Sequence, residues 1–227
     1  KKVLPLMKQM IDVKNGDVIA SLGNLFRPFF KPYSQILKKK ITHYKREDVA
    51  AAAQKHLENC LCKLIQYHLN KLKIKSTNLM LAGGIFANVK VNHSLKNLGK
   101  IKNVFVQPQM GDGGLCLGAA ALHLHSRKIQ VKPLKNVYLG PSVDLRKINI
   151  LKKINKKIII NKCDNLIDNI CNDLERNKVL GIVRGRMEFG PRSLCNRSIF
   201  YKTGDITINK WLNQRMKRTE FMPFAPF

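Results

Sequence analysis

The stretch TNLMLAGGIFANVKVN, Thr77 to Asn92, sets the fold class of this chain. Thr77 to Ala82 reads as a strand, Gly83-Gly84 follows it, and Ala87, Val91 and Leu95 recur at four-residue spacing on the next helix. Upstream, Val49, Ala53, Leu57, Leu61, Ile65, Leu69 and Leu72 form one apolar stripe on a long helix that starts at Arg46. Glu47 and Asp48 suit its N-terminus, and Lys71 and Lys73 suit its end. Downstream come a strand at Asn103 to Gln107, the loop PQMGDGG (Pro108 to Gly114) and an apolar helix from Leu115 to about His125. This helix–strand–helix–strand–helix order predicts an α/β layer with ligands gathered at the strand ends.

The rest of the chain is less regular. Residues 1–46 show no clear period, and NLFRPFFKPY (Asn24 to Tyr33) reads as an ordered loop or short strand. Arg127 to Pro141 reads as a linker. Beyond it the pattern predicts a partly helical Val143 to Ile154, a strand over Lys157 to Asn161, a helix over Leu166 to Arg176, a strand at Val179 to Val183 and a last helix over Ile206 to Lys217.

After the strand at Val179 comes GRMEFGPRSLCNRSI, Gly185 to Ile199. Arg186, Arg192 and Arg197 lie on a backbone broken by Gly185, Gly190 and Pro191. Guanidinium forks match phosphate and carboxylate geometry. The chemistry fits a pocket for a small phosphorylated anion, with Glu188 holding one arginine in place and Lys217 and Arg218 adding charge. The competing reading is a solvated basic face. Arginine in a lysine-rich chain argues against it.

The formal charge is +28, from 42 basic and 14 acidic residues. Stretches such as KKINKKIIINK (Lys152 to Lys162) spread lysine evenly among Ile and Asn, as a codon bias would. The excess is read as background, and a nucleic-acid face as the alternative. A hydrophobic content of 44% suits a folded core. Six cysteines make no CxxC pair and no zinc spacing, so a reducing cytoplasm is expected, with Cys60 and Cys171 packing as small hydrophobes. No apolar run reaches membrane-span length, so no membrane partner is expected. The start at Lys1 and the stop at Phe227 inside an apolar run lead us to expect a fragment of a longer protein.

Gly83-Gly84 leaves two readings open: a phosphate-facing turn with Asn88 reaching a nucleotide, or a tight turn with no ligand. Asp112, just before a helix, is either an N-cap or a metal ligand. The six histidines are scattered and read as structural or surface residues.

Together, LAGGIFANVKVN (Leu81 to Asn92), VQPQMGDGGLCLGAA (Val106 to Ala120), GRMEFGPRSLCNRSI and RTEFMPFAP (Arg218 to Pro226) resemble the NodU/CmcH family of O-carbamoyltransferases, in order and in spacing, over about residues 47 to 226. The resemblance implies the second half of an actin-like ATPase domain over 1–128, a linker over 129–141, and the start of a YrdC-like α/β domain over 142–227. It implies ATP and carbamoyl phosphate as substrates, carbamoyl adenylate as intermediate, and a small-molecule hydroxyl as acceptor. A divalent metal, iron or similar, with Mg accompanying ATP, is implied too. Gly83, Gly84 and Asn88 then match the nucleotide-binding turn, and Asp112 a metal ligand. Arg186, Arg192 and Arg197 fall on the carbamoyl phosphate and adenylate motif. A homo-oligomer is compatible with all of this. The alternative is a tRNA-binding or tRNA-modifying protein of the related threonylcarbamoyl-transfer class. Two departures stand out. The family's His-x-x-x-His metal pair is absent, so metal binding by this chain alone is expected to be poor. Ser193-Leu194-Cys195 replaces the usual Ala-Leu-Gly, which crowds the loop if position 195 has positive φ.

Overall fold

A computed structural model describes residues 2–21, 24–26, 34–205 and 207–218. Most of the Asn24–Tyr33 stretch, nearly all of RTEFMPFAP and Ile206 lie outside the described residues. The chain divides into two compact units, Lys1–Val131 and Lys132–Phe227.

The first unit holds α1 (Leu4–Met10), β1 (Ile11–Lys14), β2 (Asp17–Ala20), α2 (Gln35–Ile41), α3 (Arg46–Lys71), β3 (Thr77–Leu81), α4 (Val89–Lys96), β4 (Ile101–Val106) and α5 (Leu115–Ser126). The predicted central order is present, with β3 and β4 paired parallel as a two-stranded sheet. Its core is Leu81, Val91 and Leu95, packed against Leu57, Leu61, Cys62 and Ile65 of α3 and Leu79, Val104 and Val106 of the strands. Val91 and Leu95 are fully buried. Each such side chain contributes about 1.5–3 kcal/mol relative to exposure. The α3 stripe is therefore a packing face, except that Leu72 ends the helix exposed.

Two polar residues of α3 are also buried, and the apolar period gave no sign of them. His56 Nε2 donates to Ile11 O at 2.5 Å. His68 Nε2 lies 3.1 Å from Gly16 O. Both tie α3 to the antiparallel β1–β2 hairpin, which the sequence reading missed. Glu58 is the other; its contacts lie near the first candidate site.

Exposed apolar surface remains on this unit. Met80 is 76% and Phe105 50% exposed on the sheet, and α5 has no buried residue although it is apolar on all sides.

The second unit holds α6 (Ile148–Ile154), α7 (Leu166–Glu175), β5 (Leu180–Val183), β6 (Arg197–Phe200) and α8 (Ile208–Arg215). β5 and β6 are antiparallel, Val183 facing Arg197. The strand expected over Lys157–Asn161 does not form. That segment is irregular, has no partner strand, and exposes 83% of Ile159. Cys171 is exposed, not packed, and all six cysteines are free thiols. Among the described residues, no helix is long and apolar enough to cross a membrane.

Candidate functional site

Each unit carries one cluster of the sequence-predicted residues.

In the first unit, the turn after β3 and the loop after β4 lie side by side at the same end of the parallel pair, where α/β layers gather ligands. Gly83 N donates to Met110 O at 2.7 Å, joining the two loops. Gly83 has φ +121°, which a side chain would strain, and a Cβ on Gly84 would meet nothing within 4 Å. The side chain of Asn88 belongs to the turn itself. Its Oδ1 accepts Val91 N at 3.2 Å, capping α4, and its Nδ2 donates to Gln54 Oε1 at 2.7 Å. Gln54 Nε2 also donates to Glu58 Oε1 at 2.9 Å, and Ser94 Oγ donates to Glu58 Oε2 at 3.0 Å. The Gln54 hydrogen bond, reinforced by Ser94, holds the Glu58 carboxyl below its ordinary range despite burial. This network fixes the helix N-terminus against α3.

Asp112 is exposed, and the cap reading does not hold. The α5 N-terminus has no side-chain cap, and the Asp112 carboxylate makes no hydrogen bond or ion pair within the described residues. Among the described residues, no group of three or more His, Cys, Asp or Glu could hold a metal. Within the described residues Asp112 has no companion ligands.

In the second unit, residues 184–196 connect β5 to β6 and carry the whole arginine motif. Glu188 organises it. Buried at 8% exposure, its Oε1 accepts the backbone N–H groups of Leu194 (2.9 Å), Asn196 (2.7 Å) and Arg197 (3.1 Å). Burial pushes this carboxyl up. The hydrogen bonds from backbone N–H groups, its own included, outweigh burial and bring it down to about 2. Glu188 thus binds main chain, and among the described ion pairs it has none with an arginine, contrary to the expectation above. Cys195 sits within this wrap at φ +72°. The crowding condition raised from the sequence is met.

Arg186 and Arg197 are committed to backbone carbonyls. Arg186 Nε donates to Gly140 O (2.9 Å) and its Nη2 to Leu139 O (2.5 Å). Arg197 Nη1 donates to the carbonyls of Arg184 and Asn196, both at 2.8 Å, and its Nη2 to Pro141 O at 3.3 Å. Arg192 is exposed. The segment read as a linker supplies these acceptors. Phe189 N donates to Val137 O (2.7 Å), Gly140 N to Met187 O (2.9 Å) and Met187 N to Pro141 O (3.0 Å). A Cβ on Gly140 would lie 2.8 Å from Met187 Cβ, so glycine permits this close approach.

Between these segments opens a cleft of about 550 Å³, walled by Asn136, Tyr138 and Leu139 on one side and by Arg184, Gly185, Arg186 and Asn196 on the other. Arg192 and Arg197 do not line it. Arg184, Asn136 and Tyr138 were missed from the sequence. One signal was present: Arg184 is a further arginine directly before the Gly185-Arg186 that opens the motif.

The sequence profile described as "Carbamoyltransferase N-terminus" matches residues 8–121, and "Carbamoyltransferase C-terminus" matches 171–227. An uncharacterized protein of Methanocaldococcus jannaschii is 35% identical over 78% of this chain and 34% of its own length. Nodulation protein NolNO of Sinorhizobium fredii is 34% identical over 79% of this chain and 27% of its own length. Nodulation protein NolO of Bradyrhizobium diazoefficiens is 32% identical over 79% of this chain and 33% of its own length. The chain thus spans about a third of the length of these relatives.

Proposed function

The chain belongs to the carbamoyltransferase family, and from that membership we propose that it serves transfer of a carbamoyl group from carbamoyl phosphate, activated with ATP as carbamoyl adenylate, to a hydroxyl of a sugar, antibiotic or other small molecule. The observation that carries this reading is the arginine-bearing β5–β6 connection beside a cleft, within the segment matching the family's C-terminal part. In this reading the first unit is half of an actin-like domain and the second the start of a YrdC-like one. The setting is cytoplasmic, a homo-oligomer is compatible, and nucleic acid is no partner.

The chain's own residues have separable tasks. By the family motif Arg192 is assigned to the anion from outside the residues that line the cleft, neutralising the inorganic phosphate released when water splits carbamoyl phosphate to carbamate, whose oxygen then displaces pyrophosphate from the ATP α-phosphorus. Arg186 and Arg197 position the loop by holding five carbonyls, those of Leu139, Gly140, Pro141, Arg184 and Asn196. Gly83 and Gly84, with Asn88 fixing the start of α4, would seat a nucleotide in the first unit, while adenylation, which makes AMP a good leaving group, belongs to the second unit. Asp112 would be one metal ligand; the described residues do not complete a site, and no step is routed through a metal.

The test is release of AMP and pyrophosphate that depends on carbamoyl phosphate, in the full-length protein containing this chain. Arg192→Ala should abolish it. An unchanged rate in that variant overturns the assignment.

A further inference from the structure

The cleft of the second unit contains an arginine whose guanidinium neither the motif nor the loop's hydrogen bonding uses. Arg184 lines the cleft, and its guanidinium makes no hydrogen bond or ion pair within the described residues. Its backbone is nevertheless pinned. Arg184 N donates to Asn196 O at 3.0 Å, and its carbonyl accepts Arg197 Nη1 at 2.8 Å. The side chain therefore leaves from a fixed point with its whole donor fork available.

Opposite stands Asn136. Its Oδ1 accepts Tyr138 N at 3.0 Å, which orients the amide and leaves the NH2 group without a partner among the described residues. Tyr138 Oη donates to Leu194 O at 3.2 Å, so the ring is anchored as a wall. Of the ionisable residues lining the cleft, Arg184 and Arg186 are cationic and none is acidic. Both unused polar groups are donors, and donors facing a cationic cleft select an oxyanion.

We propose that Arg184 and Asn136 form a clamp for the phosphoryl oxygens of a small phosphorylated substrate. Arg184 takes two oxygens through its fork and Asn136 a third. The cleft volume of about 550 Å³ accommodates such a ligand. Arg186 and Arg197 contribute by keeping the walls in place, since turning either guanidinium to an anion would release the carbonyls it holds. Asn136 lies between the two family matches, so this half of the clamp is set by the chain's own intervening segment. The inference rests on the carbamoyl-transfer reading only for the ligand's identity.

The experiment is calorimetric titration of the 227-residue chain with carbamoyl phosphate, ATP and inorganic phosphate at low ionic strength. Arg184→Gln should weaken phosphoryl binding at least tenfold, Arg184→Lys less, and Asn136→Ala about threefold, with unchanged circular dichroism. Lys156→Gln, at an exposed position that does not line the cleft, should leave affinity unchanged. If Arg184→Gln does not fold, Arg184→Lys and Asn136→Ala decide by the same criterion. Unaltered affinity in the clamp variants, an equal loss in Lys156→Gln, or no binding by the parent chain overturns the clamp. Binding of inorganic phosphate and ATP through Arg184, with no preference for carbamoyl phosphate, upholds the clamp and removes the carbamoyl phosphate reading.

Discussion

Glu188 Oε1 accepts the backbone N–H of Asn196 at 2.7 Å, and through this and two parallel bonds a single carboxylate shapes the loop between β5 and β6. The folded carboxyl sits at about 2, against an ordinary value of 4.5. A depressed acid stabilises the fold above its ordinary value, and that stability drains away as pH falls toward the folded one. The amides of Leu194, Asn196 and Arg197 should therefore lose hydrogen-exchange protection between about pH 4.5 and 2. Glu188→Ala should cost about 1.5–3 kcal/mol at pH 7 by chemical denaturation, as for hydrogen bonds to a charged group. Retained protection at pH 2 would remove Glu188 from this role.

Cys195 pays for its φ of +72° with backbone strain that glycine lacks. Left-handed backbone costs a non-glycine residue roughly 1–2 kcal/mol, offset in part by the greater unfolded-state entropy of glycine. Cys195→Gly should stabilise the second unit by about 0.5–1 kcal/mol, read as a rise in the melting midpoint. A fall would mean that Cys195 makes contacts worth more than the strain.

Arg197 bridges carbonyls from both walls of the loop. Arg197→Lys has the charge without the fork and should not restore the loop. Both Arg197→Lys and Arg197→Ala should weaken carbamoyl phosphate binding about tenfold or more and raise loop exchange rates together. Restoration by lysine would show that charge alone is required.

Asn88→Ala should lower stability by about 1 kcal/mol through loss of the α4 cap. It should also loosen Gln54. ATP affinity should follow this loss of order, so Gln54→Ala should imitate it. A drop in affinity confined to Asn88→Ala would make Asn88 a direct nucleotide contact.

The two levels of legibility have physical causes. The order α3–β3–α4–β4 was readable because burial there follows the helix and strand periods, as with Val91 and Leu95 at zero exposure, whereas α5 was readable from its apolar run alone and buries none of its residues. The β1–β2 hairpin was not, since it is held to α3 by His56 and His68 bonding backbone carbonyls, and such bonds leave no periodic trace. The same holds for Glu188, whose partners are main-chain groups. The arginine motif was visible as composition, but which guanidinium faces the cleft depends on which carbonyls the neighbouring segment offers. Arg186 finds Leu139 and Gly140, whereas Arg184 finds none.

The bare face of the β3–β4 pair, with Met80 and Phe105 uncovered, governs how the purified chain will behave in the tube. Mutual repulsion from a charge of +28 keeps such molecules apart only while counterions are scarce. Turbidity should therefore rise with added sodium chloride, and storage buffers for this chain belong at low conductivity.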